Sequence, residues 1–476
     1  VYILGGEARH HWVWGALLFA AGACSPRGSL LVDGGALVDA DMARTDVSAD
    51  DSNVLEDAAR ETFSPCPLTA SGEPAFVNFA AGALWRGFVV LDRGDARTSS
   101  PRPVRVALHA LVDRPSDPEI HAADVQLPAA WPTTLSPYHP EIIVGPAAHS
   151  AAVGGVTPDG KTLVLTYYGH PGSSRSALHL FPIDVATWAA GPFAQIASGD
   201  WVVSRGLASG PGLEPRSELA GQGFGIVWSI YSPDVGADVV QAATLRTDGT
   251  VSSGPWRLDL GAAGEPDLNA AVIWSGTSYL FGAVQQPCSG DDPSCRPGSV
   301  TIARTPTGTD DAKLQSVGSF PLESTDACCL RFAAYGGVVW AAWLERPGGA
   351  GAWNVRLVRL APDGAAREAP VTIAAAVQVA ARPGLAANRN GLLVAWMESS
   401  VGGVLLQLRQ YGPDGNAIGL PTTRDLGANL DSQRGFDVAS IDNPSGVLIG
   451  WSGSRESDGH IAANTTALLR FECGGQ

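Results

Sequence analysis

Short apolar runs separated by Gly-, Asn- and Asp-containing turns recur along this chain, and one class of run returns at nearly constant spacing. VVWAAWLE ends at Glu345, GLLVAWME at Glu398 and GVLIGWSG at Gly453. Trp343 precedes Trp396 by 53 positions, Trp396 precedes Trp451 by 55, and Trp228 lies 115 positions, two periods, before Trp343. A repeat of that length filled with short strands predicts an all-β fold of the β-propeller type, one four-stranded blade per period.

The unit is clearest in RPGLAANRNGLLVAWMESSVGGVLLQLRQYGPDGNAIGLPTTRDL, residues 382–426. A strand of small residues leads through a Gly-containing turn to an apolar strand, then a variable loop, a third strand, an Asp-Gly turn and a polar outer strand. The second strand is apolar on both alternating sets, Leu392, Val394 and Trp396 against Leu393, Ala395 and Met397. Both faces of a blade strand pack on neighbouring sheets, so both must be apolar. Asn390-Gly391 and Asp414-Gly415 supply the positive φ that tight hairpins need. Matching second strands at FVVL (88–91), LVLTYY (163–168), GIVWS (225–229), YLFGAV (279–284), VVWAAW (338–343), LLVAW (392–396) and VLIGW (447–451) give seven units. The last unit stops after a third strand, IAANTTALLRFEC. The segment ETFSPCPL (61–68) is therefore expected to supply the fourth and close the ring, placing Cys66 beside Cys473.

The propeller accounts for residues 62–476. Residues 25–61 are rich in Asp and Glu and poor in aromatics, too polar to offset ordering entropy, and read as a disordered acidic tether. Residues 1–24 read as an export signal: Arg9, His10 and His11 precede an apolar run from Trp12 to Ala23, too short to span a bilayer. FAAGACS resembles a bacterial lipobox, which implies lipid attachment at Cys24 and contact with a membrane only through that anchor. The expected location is the outer membrane, the periplasm or the exterior. Six further cysteines are expected as three disulfides. Cys66 pairs with Cys473, and local pairs Cys288–Cys295 and Cys328–Cys329 are preferred over cross-pairing among the four. A net charge of −16 argues against nucleic acid as a partner.

TPDGKTLVL (157–165) resembles the repeat of the periplasmic Tol-system propeller and related WD-like propellers. The likeness covers nine residues and implies the fold class alone. Adjacent Cys328 and Cys329 resemble the vicinal disulfide of some quinoprotein dehydrogenases, whose other motifs are absent. Sialidase boxes, calcium loops, P-loops and nucleophile elbows are absent too. His139, His149, His170 and His179 fall close together, but their spacing matches no ligand template, so no metal and no cofactor is expected.

Candidate ligand contacts lie on loops leading into the innermost strands. Glu73-Pro74, Glu214-Pro215 and Glu265-Pro266 share one pattern there, with Arg382-Pro383 in the sixth unit, joined by Arg216, Asp267, Arg434 and Asp437. Such loops ring one mouth of a propeller channel. The expectation is a monomeric, non-enzymatic module binding a protein or glycan. The alternative is a polysaccharide hydrolase or lyase using carboxylates at that mouth.

Overall fold

The computed structural model describes residues 63–473 apart from segments 79–82, 93–103, 113–118, 129–130, 133, 147–152, 158–159, 170–175, 200–202, 210–222, 233–236, 247, 259–265, 286–297, 306–312, 324–325, 348–350, 427–435, 443–444 and 453–464. The expected leader, tether and Cys24 lie outside the described residues. The strands form seven antiparallel sheets arranged as a seven-bladed β-propeller.

Each blade runs outward from an inner strand. The closing strands β1 (Leu68–Ala70) and β2 (Ala75–Asn78) come first in the chain. Blade one is β3 (Ala83–Asp92), β4 (Val104–Val112), β5 (Glu119–Leu127) and β6 (Pro137–Pro146). Blade two is β7 (Val153–Val156), β8 (Thr162–Gly169) and β9 (Ser176–Asp184), with β10 (Ala189–Ala190) and β11 (Ala194–Gly199) sharing its outer edge. Blade three is β12 (Val203–Ser209), β13 (Phe224–Ser232), β14 (Ala237–Leu245) and β15 (Val251–Arg257). Blade four is β16 (Pro266–Trp274), β17 (Tyr279–Gln285), β18 (Ser299–Arg304) and β19 (Gln315–Pro321). Blade five is β20 (Asp326–Tyr335), β21 (Val338–Arg346), β22 (Trp353–Leu360) and β23 (Val371–Val377). Blade six is β24 (Val379–Asn388), β25 (Gly391–Ser400), β26 (Gly403–Tyr411) and β27 (Ala417–Asp425). Blade seven is β28 (Phe436–Asp442), β29 (Ser445–Ser452) and β30 (Thr465–Cys473). Inner strands touch in one continuous circuit, β3–β7–β12–β16–β20–β24–β28 and back to β3.

The period has a physical origin in the turn joining the third and fourth strands. In blades three, five and six the amides of Gly249, Gly364 and Gly415 donate to the carbonyls of Arg246, Ala361 and Gly412, at 3.0, 2.9 and 3.0 Å. The glycines sit at φ 83°, 87° and 84°, the left-handed position of a tight turn followed by a one-residue bulge. Asp248, Asp363 and Asp414 each accept the backbone N–H two residues on, from Thr250, Ala365 and Asn416 at 2.8, 3.0 and 3.0 Å. Hydrogen bonds from the Thr250 hydroxyl and backbone hold Asp248 below the usual carboxylate value of 3.8, and the Asn416 backbone and side chain do the same for Asp414. A folded-state value below the unfolded one contributes stability that is present above about pH 4 and lost as pH falls further. The wild-type thermal midpoint is therefore expected to fall more steeply below pH 4 than that of an Asp248→Asn/Asp414→Asn variant. Parallel acid profiles of the two proteins would sink this account.

Blade seven closes as the chain ends suggest, with a shift in the segments that close it. β1 pairs with β30 in the register Leu68↔Cys473, and β2 pairs with the same strand from Ala75↔Leu468 to Asn78↔Thr465. The closing strand thus lies mostly beyond 61–68, because residues 63–67 instead cross the turns of blades five and six. Phe63 meets Tyr335 edge-on with ring centroids 5.2 Å apart, and the Ser64 amide donates to the Arg389 carbonyl at 2.7 Å. Gln410 clamps the crossing from both sides, accepting from the Leu68 amide and donating to the Cys66 carbonyl. Cys66 is bonded to Cys473 across 407 residues, with Cα atoms 5.6 Å apart.

This closure moves blade one forward in the chain. FVVL lies in β3, the inner strand, and not in a second strand. Its alternating sets are both apolar because β3 packs on two blades: Phe88 joins the cluster shared with Ile441 and Leu448 of blade seven, and Val89 the cluster shared with Leu163 and Leu165 of blade two. The other six expected second strands are β8, β13, β17, β21, β25 and β29.

Candidate functional site

The inner strands do not run in perfect register with their neighbours. In blade one β3 takes two steps, Trp85 to Gly87, while β4 takes one, leaving Arg86 as an extra residue. In blade three the extra residue of β12 is Arg205, between Ser204 and Gly206. In blade four β16 advances four positions from Pro266 to Ala270 against two on β17, a span that holds Asp267. In blade five β20 advances three positions from Cys328 to Arg331 against two on β21. In blade six β24 advances three positions from Ala381 to Gly384 against two on β25, a span that holds Arg382 and Pro383.

Five inner strands therefore carry bulges near their beginnings, at one end of the channel. The second strand shows why this end was marked in the sequence. Trp228 is the last regular partner before the blade-three bulge, and Trp343 and Trp396 fall within the β21 and β25 spans opposite the bulges of blades five and six. All three indoles are almost completely buried. Three of the four tryptophans that set the repeat thus stand at a bulge, while Trp451 pairs regularly with Phe436. A bulge bends its strand and re-aims the side chains on it, and bulges cluster beside binding sites. Here three of the five place arginine, Arg86, Arg205 and Arg382, at corresponding positions of a chain with a net charge of −16.

Asp437 sits on β28 one position past Phe436, which is paired with Trp451. Its carboxylate reaches over blade one. Asp437 Oδ2 and His109 Nε2 stand 3.3 and 3.1 Å from the point where a Cβ on Gly87 would lie, so both side chains close on the same point of β3 and a larger residue there would have to push them back. His109 is buried on β4 beside Gly87, and its Nδ1 lies 3.1 Å from the Tyr167 hydroxyl of blade two. Carboxylate, imidazole and phenol thus follow one another across the seam from blade seven to blade two.

The sequence-derived contacts divide by location. Asp267, Arg382 and Asp437 belong to inner strands at the bulged end. Glu214, Arg216, Glu265 and Arg434 lie outside the described residues, as does the expected Cys288–Cys295 pair. Glu73 is a correction. It stands in the turn between β1 and β2 on the circumference of blade seven, ion-paired to Arg424 of blade six at 2.6 Å. Its Glu-Pro pattern looked like the approach to an inner strand, but this stretch closes the ring from outside. Its backbone carbonyl accepts from the Trp131 indole at 2.8 Å.

Of the four histidines, the two described ones stand on different blades. His139 belongs to blade one, where it bonds the fully buried Asp124 at 2.8 Å beside Arg105 and stacks on Trp188. His179 stands on β9 of blade two among Phe181 and Phe193, and burial pushes its imidazole below 6.5. His149 and His170 are outside the described residues. Arg86, Arg205 and His109 were not singled out from sequence. The signal that could have found Arg205 was its place in the repeat, opposite the period-setting Trp228; Arg86 carries no such mark.

No protein-family model matches the chain, and no curated protein matches it. Solved structures resemble it in fold. The β-propeller domain of the Trilobed protease from Pyrococcus furiosus is 12% identical with a TM-score of 0.42, over 79% of this chain and 96% of that one. TolB from Acinetobacter baumannii is 14% identical with a TM-score of 0.34, over 73% of this chain and 64% of that one. An acylaminoacyl peptidase from Pyrococcus horikoshii is 12% identical with a TM-score of 0.42, over 78% of this chain and 49% of that one.

Proposed function

We propose that this propeller is a non-enzymatic binding module of the bacterial cell envelope, tethered through Cys24 and the acidic segment 25–61, and that it takes a protein or glycan at the bulged end of its channel. The observation that carries the reading is the set of five inner-strand bulges at one end, three of them bearing Arg86, Arg205 and Arg382. Arginine presents a planar fork of donors that matches carboxylates, so the ligand is expected to be an acidic glycan or an acidic protein segment. Asp267 and Asp437, with Glu265 and Arg434 on the segments that lead into β16 and β28, would set specificity; Glu214 and Arg216 fall between the end of β12 and the start of β13, away from the bulged end. A rigid closed ring holds such contacts without moving parts. The Cys66–Cys473 bridge supports an oxidising compartment. The hydrolase reading loses Glu73, one of the carboxylates it relied on.

The test is a glycan array together with capture of envelope proteins by the purified chain, repeated with Arg382→Ala and Asp437→Asn. Either change is expected to weaken binding at least about tenfold, the equivalent of one lost charged contact. Ligands that bind both variants as tightly as the parent would remove the channel-end reading. Metabolic labelling with palmitate that is not abolished by Cys24→Ser would remove the proposed anchor.

A further inference from the structure

Cys328 and Cys329 lie at the bulge of blade five, and their sulfurs are bonded to each other. We propose that this adjacent pair is a thiol–disulfide exchange site at the channel end, reduced to two thiols by a dithiol and re-formed by the reverse exchange with a disulfide, which takes back the two electrons and two protons. The inference does not depend on which ligand the channel takes.

Three observations carry it. Cys329 holds φ at 70°, one of three described non-glycine residues at positive φ. That left-handed region is unfavourable for a side chain bearing a Cβ, and residues kept there cluster at functional sites. The bridge joins neighbours in the chain, whose Cα atoms the peptide bond holds 3.7 Å apart, so the disulfide must close a small ring through that single peptide unit. Both residues are partly exposed on β20, at the same strand end as the arginine bulges. Strained or accessible disulfides are the labile ones, and those with ordinary geometry resist reduction. The chain carries its own reference. Cys66 and Cys473 are also partly exposed, but their Cα separation of 5.6 Å lies within the usual range. Geometry, and not access, distinguishes the two bridges.

The exchange balances without any metal or cofactor. A thiolate of the dithiol attacks one sulfur of the pair, the Cys328–Cys329 bond breaks, and the other cysteine leaves as a thiolate. The second thiol of the donor then displaces the mixed disulfide. The donor ends as a disulfide, and the protein ends with two thiols, having gained two electrons and two protons. Once open, Cys329 is free to leave the left-handed region, and the beginning of β20 can relax.

The test is a titration of the folded, oxidised chain with dithiothreitol, followed by acid quenching, alkylation and peptide mass spectrometry. Cys328 and Cys329 are expected to reach half-labelling at a dithiothreitol concentration at least tenfold lower than Cys66 and Cys473 require, and to re-form their bond when the reductant is replaced by oxidised dithiothreitol. Equal or greater resistance than the Cys66–Cys473 bridge would overturn the proposal, as would peptides joining either residue to Cys288 or Cys295. Hydrogen exchange gives a second readout. Amides of Asp326–Arg331 are expected to exchange faster after mild reduction in the parent, with no response in a Cys328→Ala/Cys329→Gly variant. Unchanged exchange in the reduced parent would equally overturn it.

Discussion

Replacing Cys66 and Cys473 with alanine is expected to lower the stability of the propeller by about 2–5 kcal/mol, the largest effect of any side-chain deletion that leaves the core intact. The bridge spans 407 residues, and on the chain-entropy account a crosslink over so long a loop acts on the unfolded chain, which it forbids from expanding. The folded ring keeps its other fastenings at this seam. β1 and β2 remain paired with β30, Gln410 still holds the Cys66 and Leu68 backbone, and Arg470 still lies over the Trp131 ring at 5.1 Å while donating to the Pro128 carbonyl. The variant should therefore fold, with a lower guanidinium midpoint and a steeper denaturant dependence, because the released chain exposes more surface on unfolding. A stability within about 1 kcal/mol of the parent would mean that the pairing of β1 and β2 with β30 alone seals the ring. Hydrogen exchange should also place the weakest amides of the variant in blade seven, where a propeller opens first if its clasp is removed.

Gly225→Val is expected to destabilise the fold by about 3 kcal/mol, and Gly282→Val by a similar amount. Both glycines sit on second strands where the next blade leans in. A Cβ on Gly225 would stand 2.5 Å from the Tyr279 ring, and one on Gly282 would stand 2.7 Å from both Leu330 and Phe332. The buried obstacles, Tyr279 at Gly225 and Leu330 at Gly282, cannot swing into solvent, whereas the half-buried Phe332 can give way in part. Tyr279 is buried, and burial pushes its phenol up. Leu330 is buried on the blade-five inner strand. Interiors packed near crystal density have no slack to absorb a branched side chain, so the blades must separate locally. Gly402, by contrast, has no atom within 4 Å of its would-be Cβ, and Gly402→Ala is the matched control. Chemical denaturation of the three variants decides the matter. Equal midpoints for Gly225→Val and Gly402→Ala would show that the seam between blades three and four can yield.

Much of the architecture was legible because a propeller imposes the same local demands seven times. The tryptophan period, the doubly apolar second strands and the Asp-Gly turns are each consequences of a blade buried on both faces and turned by a residue at positive φ. The unfinished last unit likewise announced that an N-terminal segment would complete it. Blade one was less legible. FVVL has the composition of a second strand, since an inner strand pressed between two blades is also apolar on both sets, and composition cannot separate the two positions. Glu73-Pro74 misled for a related reason: a Glu-Pro pair fixes the conformation of the chain before a strand whether that strand lines the channel or the circumference.

The site was the least legible part. Its mark is one or two extra residues on each of five inner strands, and a bulge has no side-chain signature of its own, being a mismatch between two strands that meet only after folding. Arg86 and Arg205 are unremarkable in sequence and acquire their place from pairing with strands tens of residues away. The meeting of Asp437 with His109 over Gly87 joins residues 328 positions apart, and no period relates them. Local propensity and repeat spacing determined the strands, the turns, the blade count and the two ends that close the ring, because each of these is fixed by forces acting over a few residues or by repetition itself. Tertiary structure alone decided the strand registers, the bulges and the residues that face one another across the seams, because these depend on how whole sheets fit together at close packing.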